Sequence, residues 1–121
     1  MKERTLHIRI ESTDAMFRRA RASARKLDKG DTRSQGEHLS FADLPTFLAA
    51  LTTKRLELVT LLKKIGPCSI RALSIGAARD YKSVYQDVKL LSDLGLIVKR
   101  EDAKIEAPYD RIISDIRMAA A

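Results

Sequence analysis

Hydrophobic and polar residues follow two different periods along this chain, and the N-terminal segment shows both. Residues 5–10 alternate between apolar and polar side chains, which predicts a half-buried strand. The apolar face of that strand consists of Leu6, Ile8 and Ile10. Apolar residues then recur at helical spacing over residues 14–29, which predicts a helix. Gly30 predicts its end, because glycine tolerates a left-handed conformation. We therefore expect a strand followed by a helix.

The middle of the chain alternates between loop and helix patterns. Residues 30–36 are polar and flanked by glycine, which predicts a loop, and residues 37–41 form a second short strand. Leucine and phenylalanine then recur at helical spacing over residues 42–51. A further helix is expected over residues 54–65, capped by Thr52 or Thr53.

The most informative segment is residues 67–109, where two short helices precede a charged hairpin. Ser69 is placed to cap a helix over residues 70–75, and Asp80 to cap a longer one over residues 81–94. Gly95 predicts the end of the second helix. Extended runs at residues 96–100 and 104–107 are joined by a polar turn, and a final strand is expected over residues 110–118.

This order of elements predicts an α+β, mainly helical fold. Helix, turn, helix and hairpin are the outline of a winged helix-turn-helix, a fold that places its second helix in a DNA major groove. We assign residues 42–118 to this DNA-binding domain, including the C-terminal strand. Residues 1–41 form an N-terminal strand-helix-strand segment that serves dimerisation or partner binding. Strands 5–10 and 110–118 are the candidate dimer elements, since a lone edge strand needs a partner.

The apolar stripe of helix 81–94 determines which of its side chains point away from the core. Val84, Val88 and Leu91 step at three- and four-residue intervals and are expected to be buried. Lysine, glutamine and serine on the opposite face suit hydrogen bonding to base edges. The predicted base-reading residues are Lys82, Ser83, Tyr85 and Gln86.

Cations around this helix suit the DNA backbone. The predicted phosphate-binding residues are Arg71, Arg79, Tyr81, Lys89, Lys99, Arg100 and Lys104. A basic hairpin beside a basic helix would hold phosphates on both sides of a groove, although Glu101 and Asp102 at the hairpin tip oppose this. The alternative is an ordinary solvated helix face, since these residue types are common on surfaces.

Composition and charge agree with a globular protein that has a polyanionic partner. The chain of 121 residues is 45% hydrophobic and 32% charged, with net charge +7 and pI near 9.8. Residues 1–36 hold 10 Lys and Arg against 5 Asp and Glu, so most of the positive excess lies outside the helix-turn-helix segment. Helix 14–29 is interpreted first as packing on strand 5–10. Alternatively, this helix contacts DNA that flanks the winged-helix site, an acidic protein or an anionic membrane surface.

Other classes of function find little support. A single cysteine, Cys68, fits a reducing cytoplasm and is expected to be a small buried apolar residue. No signal-peptide or membrane-spanning pattern is present. His7 and His38 have no ligand-spaced partners, so we expect no metal, and no cofactor or catalytic motif is found. An enzyme is therefore not expected, and RNA binding lacks a pattern of stacking aromatics.

Three blocks of the sequence resemble a known family. They are LTTKRLELVTLLKKIGPCSIRAL, RDYKSVYQDVKLLSDLGLI and IEAPYDRI, best matched over residues 40–117. In this order they resemble predicted winged-helix transcriptional regulators of bacteria and archaea, often grouped as MarR-like. Relatives usually carry a larger apolar residue near Ala77 and glycine near Ala78, whereas here the glycine is displaced to Gly76 and Ile75 stands where a polar residue is usual.

The resemblance implies a sequence-specific regulator of transcription that binds double-stranded DNA, and we expect a repressor acting as a homodimer. Two recognition helices on adjacent half-sites would supply the specificity that one helix lacks. Some relatives look like antitoxins. The alternative is therefore a protein-interaction module that neutralises a small acidic partner protein and regulates its own operon.

Overall fold

The computed structural model describes residues 3–28 and 37–116, and in these the protein is α+β and about half helical. The predicted α+β class is confirmed. The elements in chain order are β1 (Thr5–Ile10), α1 (Thr13–Asp28), β2 (Glu37–Phe41), α2 (Leu44–Ala50), α3 (Thr53–Ile65), α4 (Ile70–Ala77), α5 (Tyr81–Asp93), β3 (Val98–Lys99), β4 (Ile105–Glu106) and β5 (Arg111–Asp115). The last strand was expected over residues 110–118 and ends at Asp115. The predicted loop 30–36, the stop at Gly30 and residues 117–118 of the last predicted strand lie outside the described residues.

Backbone contacts divide the chain into two compact units. One contains residues 3–4 and 50–110, and the other contains residues 5–28, 37–49 and 111–116. From the sequence, residues 42–118 were expected to form one domain. Strand β5 instead belongs to the unit of the N-terminal segment, because it pairs with β1. Helix α2, except for Ala50, also belongs to that unit.

The first unit is built from α3, α4, α5 and the β3–β4 hairpin. Its core consists of side chains from all three helices and the hairpin: Leu51, Leu58, Val59, Leu62, Leu73, Val84, Val88, Leu91, Leu96, Ile97, Ile105 and Ala107. The stripe of α5 at Val84, Val88 and Leu91 is therefore buried as predicted. Helix α3 begins after Thr52, whose hydroxyl accepts the backbone N–H of Arg55 at 3.3 Å.

The hairpin strands are shorter than the sequence indicated. Leu96 and Ile97 were expected to begin the first strand, but their N–H groups donate to the carbonyl of Leu91 at 2.9 and 3.3 Å. They therefore terminate α5, helped by Gly95 at φ +83°, where its lack of Cβ avoids strain. The segment between α3 and α4 steadies the hairpin, because Cys68 exchanges two backbone hydrogen bonds with Ile105.

The second unit contains a three-stranded sheet in the order β2-β1-β5, with all pairs parallel. Leu6 and Ile8 of β1 are buried, as their alternation predicted. The expectation that residues 5–10 form a lone strand available for dimerisation is wrong. Strand β1 lies in the centre of the sheet with both edges paired within its own chain, so it has no edge left for a second copy.

Helix α1 exposes more apolar surface than expected. The sequence favoured packing of this helix on strand β1, yet Phe17 is 58% exposed and Met16 is also exposed. Arg18, Arg21 and Arg25 are exposed, whereas Arg19 pairs with Glu11 at the end of β1. The hydrogen bond from Arg19 is the largest cause of a lowered pKa of Glu11.

Candidate nucleic-acid interface

Capping hydrogen bonds position the two helices of the candidate interface. The hydroxyl of Ser69 accepts the N–H of Ala72 at 3.0 Å and starts α4. Helix α4 ends at Ala78, which adopts the left-handed conformation at φ 55° and ψ 42°. Two further hydrogen bonds close this turn, from the N–H of Ala78 to the carbonyl of Ile75 and from the N–H of Arg79 to that of Ser74, both at 3.1 Å.

Helix α5 begins directly after this turn. The carboxylate of Asp80 accepts the N–H of Ser83 at 2.9 Å, which lowers the pKa of Asp80. Asp80 is exposed. Its negative charge therefore stands at the helix N-terminus, beside the free N–H groups that would attract a phosphate.

The outward face of α5 carries most of the predicted base-reading set. Lys82, Tyr85 and Gln86 are exposed, while Ser83 is half-buried. This arrangement follows from the buried stripe on the opposite side of the helix. Three side chains with different hydrogen-bonding capacity are thus presented together to solvent.

A groove of about 420 Å³ lies between α5 and the hairpin. Its floor includes Val88 and Ile105, and its walls include Tyr85, Lys89 and Lys99. At one end of the groove the guanidinium carbon of Arg71 lies 5.1 Å from the centre of the Tyr81 ring. The groove therefore combines an apolar floor with three cations and the carboxylate of Asp93. The cations suit the phosphates of a sugar–phosphate chain.

The hairpin presents the remaining predicted phosphate-binding residues. Lys99, Arg100 and Lys104 are all exposed. Arg100 already lies 3.4 Å from the carboxylate of Asp102 and 3.8 Å from that of Glu106. A phosphate would compete with these carboxylates for Arg100, whereas Lys99 forms no ion pair within the described part of the chain.

Arg79 lies in the turn between α4 and α5 and forms an ion pair within the chain. Its Nη2 donates to the carboxylate of Asp87 at 2.8 Å, and its side chain is 23% exposed. The same carboxylate accepts the Nε of Arg55 at 3.0 Å, and Arg55 also donates to the carbonyl of Ala50. Arg79 therefore joins the turn to α5 and, through Asp87, to α3. Its assignment as a phosphate-binding residue stays a prediction, in which a phosphate would compete with Asp87 for the guanidinium group.

The network at Asp87 was missed at the level of sequence. The side chain of Asp87 is only 13% exposed, and its partners Arg55 and Arg79 lie outside α5. A clue was its position immediately before Val88, at the edge of the buried stripe. A carboxylate placed there requires cationic partners, because burying an unpaired charge is costly.

The remaining titratable candidates form no recognisable site in the described residues. His7 and His38 are neighbours on β1 and β2, with ring centroids 5.6 Å apart, although they are far apart in the sequence. Within residues 3–28 and 37–116, no group of three His, Cys, Asp or Glu side chains is arranged to hold a metal ion. Cys68 is half-buried, and burial raises the pKa of its thiol.

Comparison with known proteins identifies a family. The described residues form a small α+β protein in which α5 and the hairpin expose cations. The model of the HVO_A0114 family matches residues 50–114, and the chain belongs to this family. No curated protein and no solved structure matches the chain. No helix among the described residues is both long and apolar enough to cross a membrane.

Proposed function

We propose that this protein binds double-stranded DNA sequence-specifically and regulates transcription as a homodimeric repressor. We interpret α3, α4, α5 and the hairpin as a winged helix-turn-helix, with α5 in the major groove and the hairpin on the backbone. One observation carries this proposal. The exposed face of α5 presents Lys82, Tyr85 and Gln86 beside the exposed cations of the hairpin.

Base reading is assigned to the outward residues of α5. Lysine donates to guanine acceptors, and glutamine forms two hydrogen bonds with adenine. The double variant Lys82→Ala plus Gln86→Ala should lose about 1–3 kcal/mol per base contact for the specific site. Binding is measured by fluorescence anisotropy with the DNA upstream of the gene and with a shuffled duplex.

A matched control separates base reading from charge. Lys54→Ala removes the same charge from an exposed position on α3, and should leave the ratio of specific to shuffled binding unchanged. If the double variant keeps the wild-type ratio at physiological salt, α5 does not read bases.

Backbone contact is assigned to the groove and the hairpin. Lys99→Ala should weaken binding to all sequences alike and reduce the salt slope by about 1. Arg100→Ala should have a smaller effect, because Arg100 gives up contacts with Asp102 and Glu106 in order to bind a phosphate. Equal losses on both sequences would support this assignment, whereas loss on the specific site alone would contradict it.

A second candidate function is supported by the exposed surface of α1. Phe17 and Met16 lie exposed on the same helix as Arg18, Arg21 and Arg25, and aromatic, methionine and arginine residues are enriched in protein interfaces. This favours binding of an acidic protein, as an antitoxin-like module would do. Co-expression with a small acidic protein encoded beside this gene tests it, and Phe17→Gln should release that partner without affecting DNA binding.

A further inference from the structure

Helix α3 has apolar side chains outside the core it shares with α4 and α5. Ile75, at the end of α4, is 74% exposed, and Ile65, at the end of α3, is 48% exposed. Exposing large aliphatic side chains together marks an interaction surface rather than a solvated face. We call this surface the α3–α4 patch, and it consists of Leu56, Glu57, Leu61, Lys64, Ile65 and Ile75.

Gly76 shapes the patch. A Cβ at this position would lie 3.2 Å from Cδ1 of Ile65 and 3.8 Å from Cδ2 of Leu61. The glycine therefore lets α4 lie close to these two side chains without covering them. Two surface depressions of about 440 and 450 Å³ adjoin the patch, and Glu57 and Leu61 line both of them. The patch thus has a ridge with a hollow on each side.

The charges of the patch are arranged symmetrically along α3. Glu57 and Lys64 are exposed, lie about 10 Å apart along the helix axis and flank Leu61. Neither forms an ion pair within the part of the chain that the structure describes. An antiparallel second α3 with Leu61 near the two-fold axis would place each Glu57 opposite the Lys64 of the other copy. Such self-complementarity is the property that a two-fold interface requires.

Other occupants fit the patch less well. A nucleic acid would be repelled by Glu57, and an acidic protein would pair with Lys64 but not with Glu57. A second copy would pair each Glu57 with the Lys64 of the other copy, and it would also cover the exposed isoleucines.

We infer that the protein self-associates through the α3–α4 patch, with the two α3 helices antiparallel. The inference rests on the dimer of the proposed function, and it supplies an interface that the centrally paired strand β1 does not offer. Two copies of a patch of six side chains form a small contact, so the dissociation constant belongs in the micromolar range.

Sedimentation equilibrium of the whole chain without DNA tests the apolar contact. The wild-type protein should show a reversible monomer–dimer equilibrium. Ile75→Gln should raise the dissociation constant at least about tenfold, since association would remove this exposed side chain from water in each copy. Leu48→Gln, an exposed leucine of α2 in the other unit, is the matched control and should leave it unchanged. A wild-type protein that stays monomeric to about 100 µM, or an Ile75→Gln variant that dimerises as well as the wild type, overturns the inference.

Charge reversal tests the predicted geometry. Glu57→Lys and Lys64→Glu alone each place like charges opposite one another and should weaken association about tenfold. The double reversal restores opposite charges and should return the dissociation constant to near the wild-type value. Glu101→Lys, at the exposed hairpin tip, controls for net charge. If the double variant associates no better than the single ones, the antiparallel arrangement is wrong.

These outcomes are separable from those of DNA binding. Self-association that persists in a protein without specific DNA affinity would overturn the proposed function alone. Specific DNA binding by a protein that is monomeric without DNA would overturn the present inference alone. Circular dichroism of each variant establishes that the substituted chain is folded.

Discussion

Asp87 offers the sharpest test of how the candidate interface is held in place. Its carboxylate accepts hydrogen bonds from Arg55 at 3.0 Å and from Arg79 at 2.8 Å, so it joins α5 to α3 and to the preceding turn. Asp87→Ala removes both acceptors and leaves two largely buried guanidinium groups beside each other. The Nη1 of Arg79 is already buried without a hydrogen-bond partner. This arginine therefore has little scope to replace the acceptor that Asp87→Ala removes.

The size of the loss follows from the exposure of the three side chains. Hydrogen bonds to charged groups contribute about 1.5–3 kcal/mol each, and removing one member of a buried ion pair costs about 3–5 kcal/mol. Because the two arginines remain 22% and 23% exposed, water recovers part of that cost. We therefore expect Asp87→Ala to lower the free energy of unfolding by about 3 kcal/mol. Asp87→Asn, which keeps one acceptor oxygen, should lose about half as much.

Urea unfolding followed by circular dichroism at constant protein concentration measures this loss. Asp93→Ala is the matched control, because Asp93 is exposed in the last turn of the same helix. Removing an acidic residue there should be neutral or slightly stabilising, because the helix dipole disfavours it. A loss below about 1 kcal/mol for Asp87→Ala, or one matched by Asp93→Ala, would refute the idea that this network holds α5 in place.

Three further predictions concern the turn between α4 and α5, the carboxylate of Asp110 and the cysteine. Ala78→Gly should raise the free energy of unfolding by about 0.5–1 kcal/mol, because glycine has no Cβ to be strained by the left-handed conformation at φ 55°. A lower free energy of unfolding, measured by urea denaturation, would contradict this. The hydrogen bond from Lys63 and that from the N–H of Arg4 lower the pKa of Asp110. The stabilisation from Asp110 is therefore present above its unfolded pKa and is lost as pH falls through the folded pKa, so Asp110→Asn should flatten the acid limb of stability against pH. Burial raises the pKa of Cys68, so iodoacetamide should react more slowly with the folded protein than with the unfolded chain at neutral pH, and equal rates would contradict this.

Short-range rules explain which parts of the fold were predictable. The caps at Thr52, Ser69 and Asp80 and the stop at Gly95 act within a few residues, so the bounds of α3 and the starts of α4 and α5 follow from the sequence. The exposure of Lys82 and its neighbours also follows, because burial of one helix stripe determines the direction of the other. The end of α4 was less predictable, since Ala78 adopts a left-handed conformation that alanine seldom takes.

The tertiary structure alone decided which distant groups meet. The sequence marked residues 5–10 as a strand, but only the chain path pairs it with both β2 and β5 and so removes it from the candidate dimer elements. Likewise, the sequence marked Asp87 only as a residue beside the buried stripe, and the tertiary structure brings Arg55 of α3 to its carboxylate. Hydrophobic period and capping are local properties that a sequence displays directly. Partner choice depends on how elements far apart in the chain are brought together, and no local pattern records it.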